Sequence, residues 1–367
     1  MNATFLRESL ELARKGAAVT SPNPMVGAIL VRHGEVVGRG FHVWADVKHA
    51  EILDLEQAGE RAGGATLYIN LEPCCHVGRT GPCVDALLAA GVGRVVAAMQ
   101  DPNPAVSGQG FERLRAAGVE VEVCHDFAGE AERLNEPYVH YMRHGRPLVV
   151  LKAALTLDGK IAAPEDNEGW ITSERARRHV QGLRHASDAI LTGIGTVLGD
   201  DCLLTDRTGL PRSRPLLRIV VDSQLRIPLD SRMVRSAARD LLVAATSAAS
   251  AERRKALEAR GVEVLQFDGP DGRVDLGLLI GELGRRRILS LMIEAGSKLN
   301  WAALESGVAD KIFFYYAPKI LGGLQSLPVA GGAGRRRRKD AIQFRDVLIH
   351  SITESEFAVE AWLVKGL

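Results

Sequence analysis

No run in the chain approaches 18 consecutive apolar residues, which excludes a conventional transmembrane helix. Charge of one sign is missing too. The 46 Lys and Arg residues nearly cancel 45 Asp and Glu, so no global basic field exists to hold a nucleic acid or an anionic membrane. The opening stretch mixes Arg7, Glu8, Glu11 and Arg14 among its apolar residues and lacks the apolar core of a secretion signal, which points to the cytoplasm. Cysteine is scarce and odd in number, five in all, and does not suggest a disulfide framework. There is no internal repeat, no Gly-x-Gly-x-x-Gly after a strand in the second half, and no phosphate-loop Gly-Lys-Ser/Thr. The Gly193 to Gly199 stretch misses the dinucleotide spacing. It supports only an anion-tolerant turn or a tight strand-to-helix turn.

What is present is an ordinary globular composition, 46% hydrophobic and 25% charged, in 367 residues. At roughly 100–200 residues per domain that length predicts two or three domains. Leu6, Leu10, Ala13 and Ala17 recur at helical spacing, and residues 26–31 and 35–40 read as a hairpin around His33-Gly34. Helices over 49–58, 83–90, 111–117 and 130–142 then alternate with strands over 65–70, 94–99 and 119–123, a three-layer α/β pattern. His144-Gly145-Arg146-Pro147 punctuates a linker, so one domain is expected over 1–145 and a second over 146–367. The second alternates strands at 148–154, 189–192, 216–221, 241–245, 262–265, 288–293 and 311–316 with helices at 173–186, 248–259, 276–283 and 299–305. Two closing strands follow, 343–350 and 356–363.

Three of the five cysteines, Cys74, Cys75 and Cys83, lie within ten residues, downstream of His49-Ala50-Glu51. Imidazole and thiolate are the donors zinc prefers, and three protein ligands leave a position for water. Two helix starts, at His49 and Cys83, can converge on one ion, and their dipoles favour thiolates. Zinc brings its water to a pKa of about 7, and Glu51 can relay the proton to a leaving amine, the arrangement of zinc deaminases. The competing reading is a closed structural site in which Cys75 or His76 supplies a fourth ligand.

Longer motifs sharpen this. Ser21 to Gly27 (SPNPMVG), Phe41-His42, Leu71 to His76 (LEPCCH), Gly78 to Cys83 (GRTGPC) and Asp101 to Asn103 with Pro104 resemble the deaminase domain of the bifunctional riboflavin-biosynthesis deaminase/reductase family. Eight residues separate the two cysteines, where nucleic-acid deaminases usually have two. The resemblance extends over nearly the whole chain. Leu155 to Lys160 (LTLDGK), Trp170 to Ser173 (WITS), Thr196 to Asp201 (TVLGDD), Val221 to Ser223 (VDS), Ile293 to Gly296 (IEAG) and Ala317 to Gly323 (APKILGG) resemble the family's reductase domain.

The resemblance implies a cytidine-deaminase-like α/β/α domain followed by a dihydrofolate-reductase-like α/β domain. It implies zinc on His49, Cys74 and Cys83, proton transfer by Glu51, and substrate contacts from Asn23, His42, Arg79, Thr80, Asp101 and Asn103. In the second domain it implies NADPH on Leu155, Trp170, Thr196, Asp200, Ser223 and Gly296, and substrate against Arg184, Leu204, Arg207 and Glu294. The expected partners are small phosphorylated pyrimidines, with no nucleic acid and no membrane, in a homo-oligomer. Cys75, Gly81, Glu168 and Cys202 depart from residues common in the family. Glu168 and Cys202 motivate an alternative, a deaminase whose inactive second domain serves assembly. The run Arg335 to Lys339 motivates another, a nucleic-acid deaminase, although its Gly-rich lead-in favours a solvated loop.

Overall fold

The computed structural model describes residues 3–165 and 168–364. The chain forms two compact units, Met1–Gly145 with Pro211–Arg214, and Arg146–Leu210 with Pro215–Leu367.

The first unit runs α1 (Ala3–Arg14), β1 (Gly27–Arg32), β2 (Glu35–Phe41), α2 (Ala50–Ala58), β3 (Thr66–Ile69), α3 (Cys83–Ala89), β4 (Arg94–Ala97), α4 (Gln109–Ala116), β5 (Glu120–Val123), α5 (Ala128–Leu134) and α6 (Glu136–His144). Its five strands are ordered β2-β1-β3-β4-β5. β1 is antiparallel to β2 and β3, and β3, β4 and β5 are parallel. His33 and Gly34 both take positive φ, 51° and 83°, as a two-residue hairpin turn demands. β2 carries glycine where α2 lies on it. A Cβ at Gly40 would sit 2.1 Å from the Ala50 carbonyl oxygen, and one at Gly38 2.1 Å from that of Asp54. This close approach seats the helix that starts at His49.

The second unit runs β6 (Leu148–Thr156), β7 (Lys160–Ala162), α7 (Glu174–Ala186), β8 (Ala189–Gly193), α8 (Ile194–Asp200), β9 (Leu217–Val221), α9 (Arg232–Arg235), β10 (Leu241–Ala245), α10 (Ala251–Glu258), β11 (Glu263–Gln266), α11 (Leu276–Arg285), β12 (Ser290–Ile293), α12 (Ser297–Glu305), β13 (Lys311–Ala317), β14 (Leu327–Pro328), β15 (Phe344–Ser351) and β16 (Phe357–Leu363). A nine-stranded sheet has the order β11-β10-β9-β8-β12-β6-β13-β16-β15. The seven strands from β11 to β13 are parallel, so their C-terminal ends share one edge. β16 and β15 close the other side antiparallel. Apolar strands such as Leu241–Ala245, buried at every position, form the core with α11 and α12.

The mixed α/β class expected from the sequence holds in both units. One local expectation needs correcting. The helix expected over 130–142 breaks at Asn135, whose side chain is committed to the Met25 backbone at 2.7 and 2.9 Å. Of the two readings of the Gly193–Gly199 stretch, the tight strand-to-helix turn holds, since β8 ends at Gly193 and that residue is the N-cap of α8. The small β7–β14 pair was not legible at all. No helix among the described residues is long and apolar enough to cross a membrane.

Candidate active sites

In the first unit, the chain folds His49, Cys74 and Cys83 to one point although 34 positions separate the outer two. His49 is the extended N-cap of α2, Cys83 opens α3 after Pro82, and Cys74 lies in the loop after β3. His49 Nδ1 stands 3.2 Å from Cys83 Sγ and 3.5 Å from Cys74 Sγ, and all three donor atoms lie within 4.8 Å. Tetrahedral zinc with bonds of about 2.0 Å to nitrogen and 2.3 Å to sulfur needs donors roughly 3.5–3.8 Å apart, so this set fits the ion. The Cys83 N–H donates to Cys74 Sγ at 3.4 Å. The Cys83 thiol and His49 draw Cys74 down to about 4. Among the described residues the cluster has three members. Cys75 instead turns its thiol to the Ala105 carbonyl at 3.8 Å, and His76 is exposed. Neither supplies the fourth ligand of a closed site.

Glu51 is buried in the first turn of α2, and its carboxyl is pushed up to about 7, first by burial and then by the Cys74 thiolate. The expected contact residues lie in the same unit. His42 Nδ1 donates to the Lys48 carbonyl at 2.9 Å, which leaves Nε2 to accept from Asn23 Nδ2 at 3.1 Å. Burial lowers the His42 pKa, so this ring is neutral. Asn23 is held from both sides. Asn70 and Asn135 grip the Met25 backbone after it, and Arg214 Nη2 and Ser213 Oγ bond Ser21 before it, at 2.6 and 3.0 Å. Arg79 lies on the Trp44 ring at 4.2 Å, next to half-buried Thr80. Asp101 is buried, accepts from Asn103 N and Tyr138 Oη at 2.8 and 3.0 Å, and is pushed up to about 6 by burial.

Glu72, within the Leu71 to His76 motif, is a hydrogen-bonding hub. Its two oxygens accept four backbone N–H groups, those of Asp101, Gly108, Gly110 and Phe111, at 2.9 to 3.2 Å. A carboxylate flanked by a metal-binding Pro-Cys was the available signal.

In the second unit the expected residues gather along the C-terminal edge of the parallel strands, where open α/β sheets bind ligands. Leu155 is the penultimate residue of β6, Thr196 and Asp200 lie on α8 after β8, Ser223 follows β9, and Glu294 and Gly296 follow β12. Leu155 is core, whereas Trp170 is exposed under the Arg177 guanidinium at 4.8 Å. Asp158 joins two of the quoted motifs by accepting from Leu321 and Gly322 N–H at 3.2 and 2.8 Å. Glu294 is clamped. Lys152 Nζ reaches Oε1 at 2.9 Å, and Arg184 reaches Oε2 at 2.9 and 3.1 Å. Burial alone would lift its pKa, but the two cations hold it at about 2. Arg207 is exposed, its N–H fixed by Gln181 at 2.9 Å, and Leu204 is buried. Lys152 escaped the sequence reading. A single Lys inside the otherwise apolar β6 was the signal. Cys202 packs against a hydrophobic cluster, its thiol pushed up to about 11 by burial.

Comparison with known proteins agrees with this geometry. The zinc-binding region of cytidine and deoxycytidylate deaminases matches residues 1–99, and the RibD C-terminal domain matches residues 147–355. The chain belongs to the RibD family. The riboflavin biosynthesis protein RibD of Escherichia coli K12 is 43% identical over 357 residues, 93% of this chain and 94% of that protein. RibD of Acinetobacter baumannii superposes with a TM-score of 0.87 at 34% identity, covering 99% of this chain and 98% of that one. A Thermotoga maritima structure described as a diaminohydroxyphosphoribosylaminopyrimidine deaminase/5-amino-6-(5-phosphoribosylamino)uracil reductase superposes at 0.83 with 33% identity over 98% of both chains. As a RibD-family member the protein is a bifunctional deaminase and reductase of riboflavin biosynthesis, with a zinc-binding deaminase domain. The alternative of an inactive assembly module finds no support in these matches.

Proposed function

We propose that the first unit deaminates 2,5-diamino-6-(5-phosphoribosylamino)pyrimidin-4-one and the second reduces the ribosyl group of the product to ribityl with NADPH. The observation that carries the first half is the convergence of His49, Cys74 and Cys83 beside a buried Glu51. Zinc bound there supplies a water activated for attack on the amine-bearing ring carbon. Glu51, near 7, takes a proton at its carboxylate and returns it to the departing amine. Asn23, oriented by neutral His42, presents its amide oxygen to the pyrimidine edge. Arg79 and Thr80, with Asp101 and Asn103, hold the ribose phosphate, with Arg79 supplying the charge.

In the second unit the start of α12 fits a cofactor phosphate. Gly296 caps the helix without a side chain, and a Cβ there would meet nothing within 4 Å. Leu155, Trp170, Thr196, Asp200 and Ser223 complete that edge. NADPH supplies the hydride. Arg207 and Glu294 orient the sugar phosphate, and Leu204 closes the apolar side. Free thiols at the zinc site suit a reducing compartment, and we place the enzyme in the cytoplasm.

We also read the protein as a homo-oligomer built through β15. This edge strand exposes Val347, Leu348 and Ile349, and an antiparallel copy of itself would satisfy both its open backbone ladder and that apolar surface. Sedimentation of an Ile349→Lys variant is expected to show loss of the oligomer. Mass spectrometry after incubation with the diaminopyrimidine ribosyl phosphate tests the two activities together. A product in which oxygen from water replaces one amine, heavier by about one mass unit, should form without NADPH, and its ribityl form only with NADPH. Ammonia release without NADPH consumption would remove the reductase half.

A further inference from the structure

The segment between α8 and β9 carries Leu204 and Arg207 without regular secondary structure, and two of its non-glycine residues, Asp201 and Leu204, take left-handed backbone with φ of 40° and 51°. Side chains other than glycine disfavour that region, and it persists only where the surroundings over-determine it. Here each tether can be named. Asp201 Oδ1 accepts from Arg232 N at 2.8 Å. The carbonyls on either side of Leu204 are each held by a buried arginine. Leu203 O accepts from Arg218 Nη1 at 3.2 Å, and Thr205 O accepts from Arg184 Nη1 at 3.1 Å. His185 Nδ1 stands 2.7 Å from Asp206 Oδ2.

Arg184 also grips Glu294, so it belongs to the site already described. Arg218 does not. It sits on β9, 1% exposed, and has no place in the chemistry above. All five of its N–H donors are committed. Nε and Nη2 fork onto Asp240 at 2.9 and 2.8 Å, Nη1 and Nη2 reach Ser236 Oγ and O at 2.9 and 3.1 Å, and the remaining Nη1 hydrogen takes the Leu203 carbonyl. A lysine offers three donors on a point charge and cannot hold Asp240 and reach Leu203 together.

We propose that Arg218 is a positioning residue for the reductase half-reaction. Anchored on Asp240, it holds the Leu203 carbonyl so that Leu204 keeps its left-handed turn, and that turn sets Leu204 and Arg207 against the substrate. The proposal rests on reading Leu204, Arg207 and Glu294 as the reductase substrate site.

The test uses the full chain and measures, on each preparation, KM, kcat and NADPH affinity with 5-amino-6-(5-phosphoribosylamino)uracil and ammonia release with 2,5-diamino-6-(5-phosphoribosylamino)pyrimidin-4-one. Arg218→Lys is expected to raise KM about tenfold, the scale of one lost buried hydrogen bond, with kcat and NADPH affinity within about twofold and ammonia release unchanged. Asp240→Asn keeps the shape of the anchor, is expected to raise KM about threefold, and gives the answer if Arg218→Lys does not accumulate. The decisive background is Leu204→Gly, because glycine takes left-handed backbone at no steric cost. There, Arg218→Lys should add less than about threefold to KM. An unchanged KM in Arg218→Lys or Asp240→Asn, or the same Arg218→Lys effect in both backgrounds, overturns the proposal. So does a parallel fall of kcat, NADPH affinity and melting temperature. A wild-type chain that releases ammonia from the diaminopyrimidinone but consumes no NADPH with the uracil substrate would instead remove the underlying reading of the unit, a result visible before any variant is made.

Discussion

Glu51 in the first unit is buried and Glu294 in the second is half-buried, and their neighbours push them in opposite directions. Glu51 has thiols for company, and burial and the Cys74 thiolate bring it to about 7, where it changes charge at working pH. Glu294 has Lys152 and Arg184 at hydrogen-bond distance and stays at about 2, ionised at any pH the enzyme meets. One carboxyl is built to carry a proton and the other to remain a fixed charge. The two units thus divide not only the reactions but the uses of a site carboxyl: the deaminase needs a titrating group, whereas hydride transfer needs a stable electrostatic frame.

The strongest way to break this contrast is at Glu51. Glu51→Gln keeps the shape and the metal ligands but cannot take a proton. Ammonia release should fall by roughly 10²–10⁴-fold, with zinc content by atomic absorption and NADPH-dependent reduction unchanged. A variant that still deaminates would show that the buried carboxyl is not the proton carrier.

Glu294→Gln tests the other side. It leaves Lys152, largely buried, and Arg184 without their counter-ion, and stranding buried charge costs about 3–5 kcal/mol. Urea denaturation should show the second unit weakened by that order, and reduction should be lost while ammonia release persists. The wild-type pair also fixes a pH window. Because the folded pKa is depressed, its stabilisation is present above the ordinary glutamate range of about 4.5 and is lost as pH falls towards 2.

How far these roles were legible follows from sequence distance. His49, Glu51, Cys74 and Cys83 announce themselves because zinc chemistry restricts residue type and local spacing, and the His33-Gly34 hairpin because its turn requires positive φ. Lys152 meets Glu294 across 142 positions, and Glu72 collects N–H groups from 29 to 39 positions away. No local pattern encodes such pairings, since they arise only when parallel strands and loops fix the register. Asn135 reads as an ordinary helix residue until Met25 is placed beside it.

The titration difference can be read directly in rate profiles. Below pH 7, kcat/KM for ammonia release should rise about tenfold per pH unit as Glu51 ionises, then level off. Reduction should show no step from Glu294 between pH 5 and 8, roughly the range in which a depressed carboxylate stays charged. Coincident profiles for both half-reactions would erase the distinction between the two acids.

The smallest expected effect sharpens the comparison most. Asp54, one turn beyond Glu51 on α2, is fully buried, and neither carboxyl oxygen has a hydrogen-bond partner. Burial, then the charge of Glu51, pushes its pKa well above the usual range. An acid whose folded pKa is raised lowers stability as pH climbs from its unfolded value of about 4 towards the folded one. Asp54→Ala should therefore stabilise the first unit by about 1–2 kcal/mol at pH 7, the scale of an unsatisfied buried polar group, and by less near pH 4. If Asp54 is uncharged over the working range, removing it leaves the midpoint of the ammonia-release profile where it was. A midpoint that moved down would mean that Asp54 carries charge beside Glu51, and that the proton is shared between two acids on one helix rather than held by Glu51 alone.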